Sequence, residues 1–99
     1  MKRTHEEAVA AHLRDPDYRT EHERTVLARA VAIEVTRYRT EHGLSQRALA
    51  RRLRMQQPAV ARLESGDVTP SIDTLIRLSR GLGIEFHVDI TPRGLDLSA

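Results

Sequence analysis

The sequence predicts an all-α fold, a bundle of five to six helices followed by one C-terminal β-strand. Three observations lead to this prediction. Apolar residues recur at helical spacing over most of the chain, glycines follow several of these stretches, and strict alternation appears near the C-terminus. With 99 residues, the chain can form one domain with a modest hydrophobic core.

The chain begins with a predicted helical extension over residues 1–24. Thr4 starts a capping-box pattern, and a thin apolar stripe of Val9 and Leu13 follows at helical spacing. Pro16 ends this short helix, because proline is tolerated only in the first turn of the next one. We therefore expect a separate helix ahead of the main bundle.

The next helix opens a domain that should span residues 25–83. It can run unbroken from Pro16, or start afresh with Thr25 as its N-cap, and Gly43 closes it. Its predicted core-facing residues, three or four positions apart, are Leu27, Val31, Val35 and Tyr38.

Two short amphipathic helices lie back to back between Leu44 and Gly66. Ser45 suits the N-cap of the first helix. Pro58 cannot lie inside a helix, so the second helix must begin just before it. Gly66 suits the left-handed residue that ends the second helix. Two helices joined by so short a connection predict a helix-turn-helix motif.

The charge of this segment indicates a nucleic-acid partner. The whole chain carries a net charge of only +2, yet five arginines between Leu44 and Gly66 face one carboxylate, Glu64. Gln57 can pair with adenine and Arg62 with guanine in the major groove, each pair discriminating by about 1–3 kcal/mol. The alternative is that the arginines only keep the protein soluble. In that case they would have no reason to coincide with a turn and two helix starts. We therefore expect binding to double-stranded DNA.

The segment also carries a family resemblance. The order Gln46, Ala50, Val60, Leu63, Glu64, Gly66 resembles the helix-turn-helix of the Cro and lambda-repressor (XRE) family, over about residues 31–83. The resemblance implies a lambda-repressor-like bundle in which Gln46 contacts phosphate and Gln56 caps the recognition helix. It also implies a buried ion pair between Arg39 and Glu64. The candidate DNA-contacting residues are Gln46, Arg47, Gln56, Gln57, Pro58, Ala59 and Arg62, with Arg51 or Arg52 as further phosphate contacts.

One residue departs from the family pattern. Arg54 lies in the turn, where the family usually has glycine. A left-handed backbone costs a non-glycine residue about 1 kcal/mol or more. We therefore expect the turn to be strained or altered.

A period-two pattern follows the last predicted helix, which Ser71 caps and Gly83 ends. Over residues 84–92, four apolar residues alternate with polar ones: Ile84, Phe86, Val88 and Ile90. Residues 93–99 are expected to form a flexible tail, which leaves this strand without a partner. We predict a dimerisation strand that pairs antiparallel with its own copy; the alternative is an extended tail packed on its own bundle.

A dimer would suit DNA recognition. Two recognition helices would enter successive major grooves on one face of the duplex, roughly 34 Å apart. The operator should then be an inverted repeat.

The chain as a whole resembles HigA-type antitoxins of bacterial toxin–antitoxin operons. The resemblance rests on HLRDPDYRTEHERT before the XRE segment and IEFHVDITP after it. It implies a protein that represses its own operon and neutralises a RelE/HigB-type ribonuclease toxin. Because such toxins are basic, the acidic and apolar N-terminal segment is a plausible contact surface, with Val9, Leu13 and Tyr18 as candidates. Two alternatives remain: the segment only extends the bundle, or the chain is a stand-alone XRE regulator without a toxin partner.

Other classes of function lack support in the sequence. The chain has no cysteine, so we expect no disulfide and a reducing, cytoplasmic location. No apolar run approaches the roughly 20 residues that span a membrane. The five histidines form no array with ligand spacing, and no phosphate loop or activated nucleophile is evident. We expect no metal, no cofactor and no enzyme activity.

Overall fold

A computed structural model describes the backbone of residues 16–98 and the side chains of residues 20–98. Within this range the chain forms four α-helices followed by a β-hairpin. The elements are α1 (Pro16–Glu41), α2 (Gln46–Leu53), α3 (Gln57–Ser65), α4 (Ile72–Leu82), β1 (His87–Thr91) and β2 (Gly94–Ser98). The predicted extension helix, with Val9 and Leu13, lies outside the described residues.

The first described helix, α1, is continuous from Pro16 to Glu41. Thr25 does not start a new helix, because its hydroxyl donates to the carbonyl oxygen of Glu21 one turn earlier (3.0 Å). Gly43 follows the helix with a φ of 60°, a left-handed conformation that suits glycine. The predicted boundary between residues 24 and 25 therefore falls inside one helix.

All four helices contribute to one core. The most deeply buried large side chains are Val31 and Val35 of α1, Leu49 of α2, Val60 of α3 and Leu78 of α4. Leu27 and Tyr38, which the periodicity also placed on the core side, pack against its margin. Burial of each such side chain contributes about 1.5–3 kcal/mol, so the bundle holds the helix-turn-helix by packing rather than by helix propensity.

Helices α2 and α4 approach each other closely at Gly81. A β-carbon added to this glycine would lie 2.6 Å from Cδ2 of Leu53. Leu53 is buried and cannot easily turn away. Glycine at position 81 therefore sets how closely α4 packs against the C-terminal end of α2.

The C-terminal segment corrects the prediction of a lone strand. Residues 94–98, expected to be a flexible tail, form β2, which pairs antiparallel with β1 in the register His87↔Ser98 to Thr91↔Gly94. The strand expected over residues 84–92 begins only at His87. Ile84 and Phe86, expected to join two copies, instead pack against the core of their own chain.

The hairpin has a local cause. Pro92 and Arg93 form a two-residue connection, and alternation resumes after it with Leu95 and Leu97. Strand β2 packs against α1, and Leu97 reaches the margin of the core. The prediction that β1 has no partner strand within its own chain was therefore wrong.

Candidate nucleic-acid interface

The N-terminal ends of α2 and α3 form one edge of the bundle. Ser45 caps α2 by accepting a hydrogen bond from the backbone N–H of Ala48 (3.0 Å). Neither α2 nor α3 has an acidic residue in its first turn, whereas α4 has Asp73 there. Carboxylates usually offset the positive end of a helix dipole, so these two N-termini remain electropositive. Such ends suit phosphate groups.

A side-chain hydrogen bond joins the starts of the two helices. Gln57, the first residue of α3, donates from Nε2 to Oε1 of Gln46, the first residue of α2 (2.8 Å). Both side chains are half-buried. The bond orients the Gln57 amide while leaving its oxygen and a second N–H for a base edge. Gln46 therefore positions the residue that the sequence assigns to adenine.

The start of α3 differs in one detail from what the family resemblance implies. Gln56 occupies the N-cap position, and its carbonyl oxygen accepts from the N–H groups of Ala59 (3.0 Å) and Val60 (3.3 Å). Its side chain makes no capping hydrogen bond. Pro58 lies in the first turn, as predicted, where its missing N–H costs nothing. The exposed Gln56 side chain is thus free for an external partner.

The same two helices carry exposed cationic side chains. Arg47, Arg51 and Arg62 are all exposed. Among residues 20–98, none of the three forms a salt bridge with a carboxylate. Unpaired guanidinium groups can bind phosphate or guanine without first breaking an ion pair. Together with the two glutamines, they form a surface with the chemistry of DNA recognition.

The recognition helix is fastened to α1 by the pair that the resemblance implies. Arg39 donates from Nε to both carboxylate oxygens of Glu64, at 2.8 and 3.0 Å, and from a terminal nitrogen to the carbonyl oxygen of Leu44 (3.2 Å). Thr36 also reaches Glu64 (3.4 Å). The hydrogen bond with Glu64 raises the pKa of Arg39 above its ordinary value, so the guanidinium stays charged. The pair fixes α3 relative to the bundle.

The turn between α2 and α3 carries the strain expected from the sequence. Arg54 has φ 55° and ψ 45°, the left-handed conformation that glycine usually takes. Its N–H donates back to α2, and the N–H of Met55 donates to the carbonyl oxygen of Ala50 (2.9 Å). These bonds complete a Schellman-type helix end. The turn therefore keeps its normal geometry with an unfavourable residue.

The structure brings two of the predicted site residues into contact: a hydrogen bond joins Gln46 and Gln57 at the starts of α2 and α3. Arg62 is exposed farther along α3, in its last turn. Tyr18 lies in the first turn of α1, where only the backbone is described. The sequence did not predict the Gln46–Gln57 hydrogen bond. The feature that could have indicated it was the position of both glutamines at helix starts.

Two kinds of feature are absent from the described residues. No group of three or more histidine, cysteine, aspartate or glutamate side chains there could hold a metal ion. No helix among these residues is long and apolar enough to cross a membrane.

The four-helix bundle, the paired helix starts and the unpaired cations define a helix-turn-helix DNA-binding domain. Residues 35–88, just over half of the chain, match the family model described as "Helix-turn-helix". The chain therefore belongs to this XRE-type helix-turn-helix family. No curated protein and no solved structure matches the chain. The family membership indicates a sequence-specific DNA-binding transcription regulator.

Proposed function

We propose that the protein is a cytoplasmic, non-enzymatic repressor that binds an inverted-repeat operator in its own promoter as a homodimer. One observation carries the DNA-binding part of this proposal: the Gln46–Gln57 bond that joins two helix starts bordered by unpaired arginines. Gln57, Pro58, Ala59 and Arg62 would face base edges, while Gln46, Arg47 and Arg51 would contact phosphates. Phosphate contacts would supply affinity, and base contacts would supply specificity.

The hairpin supports a revised route to the dimer. All five residues of β1 are exposed, and among the described residues β1 pairs only with β2. Thr91 and Gly94 flank a two-residue loop, so they form a hydrogen-bonded pair in the antiparallel ladder. Because hydrogen-bonded and non-hydrogen-bonded pairs alternate, the backbone N–H and C=O groups of Val88 and Ile90 point away from β2. Ile90 is 76% exposed. Pairing of two β1 edges would give a four-stranded sheet across the two-fold axis.

A second candidate role is that of an antitoxin. The specific observation in its favour is an acidic and apolar region in the N-terminal half of α1, with Glu21 exposed and Val26 40% exposed. Glu21 lies in the N-terminal half of α1, whereas the ion pair that fastens α3 to α1 uses Arg39 near its C-terminal end, so a basic ribonuclease toxin of the RelE/HigB type could bind there without competing for DNA. A stand-alone regulator without a toxin is the alternative.

The base-reading assignment is tested with two variants and randomised duplexes. Arg62→Ala should relax discrimination at one base pair per half-site by about 1–3 kcal/mol. Gln46→Ala should weaken binding to all sequences and also relax the position read by Gln57, because that amide loses its support. Selection from a random duplex library, followed by affinities for single-base variants, measures both effects. If Arg62→Ala left discrimination unchanged at every position, the assignment would be wrong.

The antitoxin role is tested by co-expression with any small basic protein encoded beside this chain. Copurification of a stable complex and relief of toxicity would support the role. Charge reversal at Glu21 should weaken that complex, whereas Arg62→Ala should leave it intact while altering DNA selection. Absence of such a neighbour, or of any complex with it, would favour the stand-alone regulator.

A further inference from the structure

A cationic groove lies beside the DNA-reading edge and is not part of it. The groove, about 700 Å³ in volume, runs between the C-terminal end of α2 and α4. Its lining residues are Arg52, Leu53, Arg54, Asp73, Ile76, Arg77, Arg80 and Gly81. Of the candidate DNA-contacting residues, only Arg52, one of the two alternative phosphate contacts, borders it. Gln46 lies at the opposite end of α2, about 10 Å along the helix axis.

Four arginines line this groove, against the single carboxylate of Asp73. Within residues 20–98, none of the four arginines forms a salt bridge. Two of them are held by neutral partners: Arg77 donates to the carbonyl oxygen of Arg54 (3.1 Å), and Arg52 donates to the hydroxyl of Tyr38 (2.7 Å). These bonds orient the side chains without neutralising them, so the groove is prepared for carboxylates.

The groove also has an apolar floor. Leu53 lies at its base, and Ile76 is 42% exposed on α4. Gly81 also lines the groove, against the side chain of Leu53. A phosphate backbone would use the arginines and leave this apolar surface unused, and a convex duplex cannot enter a concave groove. An apolar side chain flanked by carboxylates would use both features.

We propose that this groove binds a partner protein through a short acidic segment, in which at least two aspartate or glutamate side chains flank an apolar residue. Its volume falls within the range of pockets that enclose a small ligand or a few residues of a peptide. The carboxylates pair with Arg52, Arg54, Arg77 and Arg80, and the apolar side chain covers Ile76. Binding here leaves α3 free, so the regulator can hold DNA and this partner together.

The test uses the full chain and a fluorescein-labelled peptide of sequence GEELEEG, with anisotropy as the measurement. Charge reversal Arg80→Glu should weaken peptide binding about tenfold or more, since a charge-assisted contact becomes a repulsion. Among residues 20–98 the Arg80 side chain makes no hydrogen bond or salt bridge, so its replacement removes no native side-chain bond; thermal unfolding verifies the fold. Arg93→Glu, the same change at the exposed hairpin tip, is the matched control and should leave binding within about twofold.

Two further comparisons separate the possible outcomes. The peptide GEEGEEG should bind more weakly than GEELEEG to the wild-type chain, and Ile76→Ser should abolish that difference. Affinity for a random-sequence duplex should fall equally in Arg80→Glu and Arg93→Glu.

Equal loss of peptide binding in both variants would reveal only general charge attraction and overturn the proposal. A selective loss of duplex affinity in Arg80→Glu, with peptide binding intact, would assign the groove to phosphate and also overturn it. Neither result affects the base-reading assignment of Arg62.

Discussion

Arg54 is the one residue outside glycine with a positive φ among those described. Arg54→Gly should stabilise the fold by about 0.5–1 kcal/mol, because the relief of left-handed strain exceeds the extra flexibility of glycine in the unfolded chain. The carbonyl oxygen that accepts from Arg77 remains in place. Urea unfolding followed by circular dichroism measures the change.

The control for this prediction is Arg54→Ala. Alanine removes the same side chain but keeps the strained backbone, so it should give no comparable gain. Equal stabilisation by alanine and glycine would show that the side chain, and not its left-handed conformation, is unfavourable at this position.

Glu64 holds the recognition helix by a charge that is almost completely enclosed, with 8% of its side chain exposed. Glu64→Gln keeps the volume but removes the negative charge that Arg39 faces. The loss should be about 1–3 kcal/mol in the free energy of unfolding, the usual range for hydrogen bonds to charged groups. Thermal and urea unfolding check the prediction.

Glu34 offers a matched substitution in the same bundle. It pairs with Arg37 at 3.2 Å within α1, and Arg37 is more than half exposed. Because water screens such a pair, Glu34→Gln should cost no more than about 0.5 kcal/mol. Similar losses for the two variants would contradict a special role for the Arg39–Glu64 pair.

At the scale of elements, the packing of α4 against α2 depends on Gly81. Gly81→Ala gains up to about 1 kcal/mol in helix propensity, but its β-carbon would lie 2.6 Å from Cδ2 of Leu53. Overpacking of this kind costs about 1–3 kcal/mol, so a net destabilisation of about 1 kcal/mol is expected. Differential scanning calorimetry or urea unfolding measures it.

The same substitution in a Leu53→Val background tests the cause. Valine lacks the atom that the new β-carbon would meet, so Gly81→Ala should there become neutral or stabilising. A destabilisation of equal size in both backgrounds would show that the loss arises elsewhere than at this contact.

The elements also show how far local pattern reaches. Ser45, Pro58, Gly66 and Ser71 act on their immediate neighbours, and the helix boundaries they predicted are confirmed. The strand β2 was missed because its alternation is short and follows a proline. Its stability comes from packing on α1, which is distant in sequence. Local sequence patterns contain no information about such long-range packing.

The candidate site divides in the same way. Residue chemistry indicated Gln57 at the start of α3 and Arg62 farther along the same helix, because side-chain type and place on an exposed helix suffice to suggest base reading. The Gln46–Gln57 bond requires the angle between two helices, which spacing does not provide. The arginine groove requires the packing of α4 on α2, and Arg77 and Arg80 looked like ordinary surface residues on α4.

At the scale of the whole molecule, the proposed DNA-binding surface and the proposed dimer edge lie in different places. Arginines gather on α2, on α3 and in the middle and C-terminal end of α4, whereas the hairpin packs along the N-terminal half of α1, near Glu23. DNA and a second copy would therefore use different surfaces. This arrangement allows dimer formation to be disrupted without altering the reading edge.

Ile90→Pro tests whether the outer edge of β1 joins two copies. Proline removes an N–H that alternation turns away from β2, so the hairpin should persist while pairing with a second copy is lost. Sedimentation equilibrium should show a dimer for the wild type and for Ile90→Val, which keeps the N–H, and a monomer for Ile90→Pro. The monomer should retain its preference among single half-sites but lose the gain in affinity for an inverted repeat with half-site centres roughly 34 Å apart. If Ile90→Pro stayed dimeric with an intact hairpin, another surface would have to join the two copies, because no hydrogen-bonded ladder could form through the altered position.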